Sequence, residues 1–424
     1  MRYIYVDKFR SFENQIIPMY PVTFFVGENS TGKSSILSLI NLMSDLQFWI
    51  SGNFSNNMSK MDYFSDITWD DNKEFTIGYA EINGENVIYY LSTFKDVDGF
   101  PFEYKYTSIK NKSICTCIYE QGKTVLFSKQ ERKDKKNKIS FSEAIRQHNE
   151  LDFSDRRKTI IDGEFENLPV HLSWGWASKM SLLTNKHNNG LNSFNPLPRT
   201  LIQDISWIAP MRSEGKRVYE GFSSKFSPSG EHTPFILKTL LDRGKEATKT
   251  KRKLTKFGRE SGLFEKLSVK KHGKGVDAPF QINPQVNGKP NKLTNVGFGV
   301  AQSLPVATEI IYGEDKDVIG IQQPEVHLHP KAQAAMGDLI ANAARQDGKQ
   351  FIIETHSDYL INRFRINAKN NNEKIEAAVI FFEHKNANNS ATPIKIEPDG
   401  SYPEDQPPSF RDFFIREELE LLGI

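Results

Sequence analysis

Val26 to Ser35, VGENSTGKSS, is the stretch from which the fold can be read. The run before it, Thr23-Phe24-Phe25-Val26, is β-prone, and Ser35 to Met43 carries apolar residues at helical spacing. Between them stands Gly27-x4-Gly32-Lys33-Ser34, the pattern of a phosphate-binding loop. Backbone N–H groups along Gly27, Asn29, Ser30, Thr31, Gly32 and Ser35 are expected to surround phosphates at a helix N-terminus. The Lys33 ammonium would meet the terminal phosphates and the Ser34 hydroxyl a Mg²⁺ ion, so a nucleotide with Mg²⁺ is the expected ligand. A chance Gly-Lys-Ser turn is the alternative, and the full pattern in a strand-loop-helix setting argues against it.

Upstream, Tyr3 to Val6 and Ile16 to Met19 suggest two strands around the turn at Lys8 to Phe12. Downstream, from Phe64 to about Phe127, apolar segments alternate with Asn-Gly, Asp-Gly and Gln-Gly signals, the signature of an antiparallel meander. Lys129 to Lys138 is a charge run expected to be a solvated loop, with a short helix from Phe141 to Asn149. Glu150 to Thr200 is polar and carries no readable motif; Trp174 and Trp176 in it suit core packing or a partner surface. Leu201 to Ile208 reads as a strand entering Ala209-Pro210-Met211-Arg212, and Phe235 to Asp242 as a helix. The last third has the rhythm strand, helix, strand, helix: Val318 to Ile321, His329 to Arg345, Phe351 to Ile353 and Asp358 onward, which implies parallel pairing. Strands at Ala377 to Phe382 and Pro393 to Ile396 and an amphipathic helix from Phe410 to Leu422 close the chain.

At 424 residues the chain exceeds one ordinary core. The expected division is 1–50 and 275–370 as two parts of one α/β head, 51–140 an antiparallel β subdomain, 141–205 an irregular or helical insertion, 206–274 a helical basic lobe, and 371–424 terminal strands and helix. Lys and Arg number 55 against 53 Asp and Glu, so the net charge of +2 gives no global argument for nucleic acid or membrane. The local exception is Arg243 to Lys274, where bases greatly outnumber acids. That run is a solvated face or a nucleic-acid surface, with Phe257 and Phe264, seven residues apart, set as on a packed helix face. Two cysteines, Cys115 and Cys117, lack a metal-completing cluster. No stretch has signal-peptide or membrane-span character, so a cytoplasmic protein without membrane association is expected.

Three further segments narrow the reading. TNVGFGVAQSLPV, 294–306, opens a helix at Gly297 and Gly299; VIGIQQPEVHLHP, 318–330, ends a strand in polar residues; and FIIETHSD, 351–358, ends another at His356. Together with KFRSF at Lys8 to Phe12, PMR at Pro210 to Arg212, SGE at Ser229 to Glu231 and FGRESGLF at Phe257 to Phe264, the chain resembles the ABC-type ATPase heads of the AAA-type, overcoming-lysogenization-defect (OLD) family. That resemblance implies an α/β ABC-type P-loop ATPase head with a mixed or parallel sheet, an antiparallel β subdomain and a helical basic insertion. It also implies that Arg10 and Ser11 lie beside the nucleotide. Gly297, Gly299 and Gln302 would form the signature that meets nucleotide across a dimer interface, His329 would stand at the D-loop, and His356 would be the switch histidine. Two copies of the chain would sandwich two ATP molecules.

The departures from the family pattern matter. A Walker B strand normally ends in two carboxylates, one ordering Mg²⁺ and one polarising the attacking water. Here Gln322 and Gln323 stand there, Glu325 is the nearest acid, and Ala301 replaces a common Ser. Gln322 and Glu325 are thus the candidate metal-side residues with Ser34, and Gln323, Glu325 and His356 the candidate catalytic ones. Slow hydrolysis with retained binding is expected. Glu325 as a helix cap and the two histidines as ordinary element-end residues are the bland alternatives. By family analogy the protein serves anti-phage defence and controls a separate effector, since the residues after His356 are too few for a Toprim nuclease domain. The alternatives are a DNA-bound repair or maintenance ATPase using Arg243 to Lys274, and a non-hydrolysing nucleotide-gated structural component.

Overall fold

The computed structural model describes residues 1–56, 59–69, 72–111, 113–120, 123–130, 139–152, 159–161, 205–221, 225–242, 248–275, 277–313, 317–371, 375–385 and 387–413. Trp174, Trp176, most of the Lys129 to Lys138 run, residues 243–247 and the end of the expected last helix lie outside them. The chain divides into two compact units. One comprises Met1–Met19, Glu28–Asp204 and Phe382–Thr392, the other Tyr20–Gly27, Ile205–Phe381 and Pro393–Ile424.

The first unit is built on an eight-stranded sheet, order β2-β1-β4-β5-β6-β7-β8-β9. Its strands are β1 (Arg2–Asp7), β2 (Gln15–Met19), β4 (Glu74–Asn83), β5 (Asn86–Val97), β6 (Phe100–Lys110), β7 (Ser113–Glu120), β8 (Lys123–Gln130) and β9 (Thr159–Ile161). The expected meander is there, and its tight turns follow from the residues. Asp98 and Gly99, with φ of 54° and 85°, join β5 to β6 in two left-handed steps that match the twist of a hairpin. Phe64, taken as the meander's start, instead opens a helical turn, Phe64–Ile67, and the strands begin at Glu74. What composition did not reveal is that β1 pairs antiparallel with β4, so the N-terminal hairpin and the meander are one sheet. On one face sits the helix Phe141–Glu150, whose Phe141 packs against Tyr89 and Tyr5. Its buried His148 lies between the Thr93 and Thr107 hydroxyls at 2.7 and 2.6 Å, and burial holds its pKa well below the usual value. Elsewhere Phe75 and Phe94 stack at 5.1 Å with Phe54 edge-on to both.

Glu103 on β6 is buried, and desolvation raises its carboxyl from 4.5 to about 7. The folded state therefore holds this proton more tightly than the unfolded chain does. The associated stability is complete below about pH 4.5 and is lost as pH climbs through about 7. Glu103→Gln, which is neutral at every pH, is expected to gain up to about 3 kcal/mol over the parent at pH 8 and nothing near pH 4.5. Urea unfolding of both proteins at the two pH values measures this.

The second unit carries most of a six-stranded sheet, order β10-β14-β15-β3-β16-β17, from β10 (Ile205–Ile208), β14 (Val318–Gln322), β15 (Gln350–Glu354), β3 (Val22–Gly27), β16 (Ala377–Lys385) and β17 (Asn388–Ile396), of which Phe382–Lys385 and Asn388–Thr392 belong to the first unit. β10, β14, β15 and β3 run parallel, as the strand-helix alternation implied. β3 is buried at every position, as a central parallel strand must be. A three-stranded sheet of β11 (Lys266–Lys271), β12 (Phe280–Val286) and β13 (Lys289–Pro290) accompanies it. In chain order the helices are α1 (Lys33–Ser44), α2 (Leu46–Ser51), α3 (Phe64–Ile67), α4 (Phe141–Glu150), α5 (Thr233–Asp242), α6 (Thr248–Ser261), α7 (Phe298–Tyr312), α8 (Pro330–Gln346) and α9 (Asp358–Asn371).

One apolar core joins Val22, Phe24 and Val26 of β3 to α7, α8 and α9, and also takes in Leu254, Phe257, Phe264 and Leu267 from the basic stretch. The basic stretch is therefore anchored by its apolar residues in the core of this unit. Phe257 and Phe264 do not share a helix face, because α6 ends at Ser261 and Phe264 comes from the chain beyond it. Both are 2% exposed and belong to the core, but not as the shared helix face that their spacing suggested.

Candidate active site

The phosphate loop leaves the carboxyl end of β3 through a run of unusual dihedrals. Gly27, Ser30 and Gly32 have φ of 147°, 65° and 90°. Successive turns of this kind face N–H groups inward, so the loop fits an anion and the ATP phosphates expected there. Its interior is tied at one atom: the Thr31 hydroxyl and the Lys33 ammonium both donate to the Glu28 carbonyl, at 2.8 and 2.5 Å. Lys33 is buried, Ser34 is exposed and Ser35 half-buried at the start of α1, and Asn29 and Ser30 are exposed at the loop tip. Gly32 caps α1 without a side-chain acceptor, and its carbonyl accepts from Ile36 N at 3.1 Å. A Cβ at Gly32 would lie 2.4 Å from Phe12 Cε2, so only glycine fits here.

Arg10 and Ser11 belong to the same unit as this loop. Arg10 has φ 51°, its backbone N–H donates to Ile67 O at 2.6 Å, and burial lowers its guanidinium pKa against the opposing pull of Asp66. The Ser11 carbonyl accepts from Asn389 N at 2.6 Å, beside Phe12 that closes over Gly32.

In the other unit the ends of three parallel strands stand in register: Gln322 of β14 beside Glu354 of β15, and Glu354 beside Phe25 of β3. The residues named in the Walker B position and after β15 thus come together next to the strand that feeds the phosphate loop. Gln322 Nε2 donates to Glu354 Oε2 at 3.0 Å, and Gln323 N to Glu354 O at 2.7 Å. Gln323 has φ 44°, a left-handed conformation that costs a non-glycine residue about 1–3 kcal/mol and fixes where its side chain leaves the loop. Glu325 accepts from His356 N at 2.7 Å and from the Thr355 hydroxyl at 2.8 Å. Desolvation raises its pKa, opposed by these bonds and by Arg212. Its carboxylate clamps the loop after β14 to the end of β15. It caps no helix, since His329 caps the one that follows. His356 is half-buried and follows directly on that clamp.

Arg212, from the PMR segment, runs beneath the strand end. Its Nη2 donates to Gln322 O at 2.7 Å and Gln323 O at 3.1 Å, and its Nη1 reaches Gln302 O at 3.5 Å. Burial brings its pKa down to about 10, against the favourable charge of Glu325. Gln302 answers with Nε2 to Arg212 O at 3.3 Å and is 2% exposed. It was expected to face nucleotide across an interface; instead it is spent inside the protomer, because the buried guanidinium and carbonyl need partners. Gly297 caps α7 with open space around it. Gly299 packs so closely that a Cβ would lie 2.7 Å from His327 O, and Phe298, 46% exposed, meets the His327 ring at 4.8 Å. His329 is exposed and caps α8, its Nδ1 accepting from Lys331 N at 3.4 Å, which is the bland reading of that residue.

The motifs that contain Glu354 and Arg212 assign a role to neither residue. Their signals were a carboxylate ending a buried parallel strand and an arginine just past another.

The family model for the AAA ATPase domain matches residues 1–361. No curated protein sequence matches the chain. Among solved structures, an SMC head bound to the C-winged helix domain of ScpA aligns with 93% of this chain and 97% of its own, at 12% identity and a TM-score of 0.47. An SMC head domain from Thermotoga maritima aligns over 93% and 99% at 11% identity and a TM-score of 0.39. A Smc head domain with an extended coiled coil, bound to the C-terminal domain of ScpA and derived from Pyrococcus furiosus, aligns over 99% and 100% at 13% identity and 0.43. At these TM-scores the likenesses carry no argument of their own. The family match covers most of the chain: the protein belongs to the AAA ATPase domain family.

Proposed function

We propose that this ATPase is a slow, nucleotide-dependent switch: ATP brings two copies together, and infrequent hydrolysis releases them. The observation that carries this reading is the end of β14. Gln322 and Gln323 stand where a hydrolytic site keeps carboxylates, and the nearest acid in the loop, Glu325, is committed to Thr355 and His356. Gln323 can orient a water by hydrogen bonding and cannot accept its proton. The grip on ATP is retained through the loop and Lys33, with Mg²⁺ at Ser34. Resemblance to the OLD-type heads supports a switch that controls a separate effector protein, in the setting of anti-phage defence. Among the described residues no helix is long and apolar enough to cross a membrane.

A second reading, a DNA-bound maintenance ATPase, is favoured by one feature. Lys249, Arg252, Lys256 and Arg259 on α6 and Lys266, Lys270 and Lys271 on β11 are exposed, with few acids among them. Steady-state phosphate release with and without DNA tests the two together. A low rate indifferent to DNA supports the switch, whereas a rate raised by DNA, with steep salt dependence, supports the second reading.

A further inference from the structure

Three helices of the second unit, α6, α7 and α8, converge on a cavity of about 100 Å³ that is open to solvent at one side. Its floor is apolar: Phe257 of α6, Ile310 and Ile311 of α7, and Ala335, Leu339 and Ala343 of α8. Phe257, Ile310 and Ala343 are buried members of the core, so the floor is fixed by the packing beneath it. A space of this lining accepts one large apolar group; a closed cavity of about 150 Å³ lined by Leu, Ile and Phe takes up benzene.

The mouth is edged with lysines. Lys249, Lys253, Lys256 and Glu260 recur on α6 at helical spacing, which places them on one stripe of the helix. Asp347, at the end of α8 and with its side chain 6% exposed, is held by Lys253 at 2.5 Å, with Lys249 farther off at 3.8 Å. Lys256 meets Glu260 at 3.7 Å, both in solvent. Long ion pairs at the surface are worth little and yield to a better-placed acid. Lys249 and Lys256, with side chains 80% and 64% exposed, therefore set positive charge beside the apolar floor, and the exposed Arg252 and Arg259 extend it along α6.

We propose that this cavity is the docking site for an acidic segment of a partner protein. One large apolar residue of the segment enters the cavity, while Asp or Glu beside it pairs with Lys249 and Lys256. Floor and rim select the occupant together: a nucleic-acid backbone would satisfy the lysines and leave the floor in water, and a neutral apolar peptide would do the reverse. The site goes beyond the nucleotide reading and does not depend on it. It shares one element with the expected nucleotide machinery, because α7, capped by Gly297, ends in the cavity floor with Ile310 and Ile311.

Fluorescence anisotropy of the full chain with a fluorescein-labelled acidic peptide, DDEDFDEDD, tests this. The same peptide with serine in place of phenylalanine and a labelled strand of ten thymidines are the comparisons. The phenylalanine peptide is expected to bind about tenfold or more tighter than the serine one. Ala335→Leu, which fills the cavity, is expected to shrink that difference to within about twofold. Lys256→Glu, at an exposed position, is expected to weaken the phenylalanine peptide by about fivefold or more. Equal affinity for the two peptides overturns the proposal, as does no binding of the phenylalanine peptide, or a folded Ala335→Leu that keeps the preference. A thymidine strand that binds more tightly than the phenylalanine peptide and displaces it gives the stripe to nucleic acid and overturns the proposal too. If Ala335→Leu does not fold, Lys256→Glu decides: an undiminished affinity for the phenylalanine peptide ends the proposal.

Discussion

Gly32→Ala is expected to abolish measurable ATP binding and to lower stability by about 2–5 kcal/mol. Two independent penalties meet at this position. Gly32 has φ 90°, where a residue with a side chain is strained, and the added Cβ would lie 2.4 and 2.5 Å from Phe12 Cε2 and Cζ. Phe12 cannot yield cheaply, since it is fully buried and packs edge-on against Phe382 at 6.1 Å. The loop must therefore move, and the N–H groups that face the phosphates move with it. Gly84→Ala is the control: its φ is 57° with open space around the added carbon, so it carries strain without the clash. Thermal melts of both variants, with titration of an ATP analogue, separate the two penalties. Equal losses in the two would remove Phe12 from the account.

Arg212→Met is expected to cost about 3–5 kcal/mol and to uncouple ATP binding from pairing of the chain. The guanidinium is the only described side chain bonded to the carbonyls of both Gln322 and Gln323, and it reaches α7 through Gln302. Methionine fills similar volume and leaves those buried carbonyls without a donor. Arg212→Lys keeps a charge but not the planar fork, so it should recover part of the stability and little of the coupling. Lys33 is untouched, so an ATP analogue should still raise the melting temperature of the variant. Sedimentation with the analogue should then show monomer where the parent shows dimer. A variant that binds and pairs like the parent would reduce Arg212 to a packing residue.

The local patterns were legible because their causes are local. The loop at Gly27 to Ser34 is readable as eight consecutive residues, and the apolar runs at Val318 and Phe351 announce buried parallel strands wherever they occur. The partners of Arg212 lie 90 to 111 residues away along the chain, and no spacing rule joins them. The Gln322 and Glu354 bond depends on a register between strands 32 residues apart, which a single sequence does not state. Gln302 was misassigned for the same reason: its position on α7 was readable, while the inward direction of its amide is set by the buried arginine. Glu325 looked like a spare acid near the site, and only the structure shows its carboxylate bonded to Thr355 and His356.

The central claim is that the site grips ATP and breaks it slowly, and steady-state phosphate release by the full chain with Mg²⁺ and ATP addresses it directly. The account predicts a rate on the order of 10⁻² per second or lower, still above that of Lys33→Ala and rising at least tenfold in Gln323→Glu. A rate near the roughly 10 per second typical of enzymes, lost in Lys33→Ala and unaffected by Gln323→Glu, would contradict it.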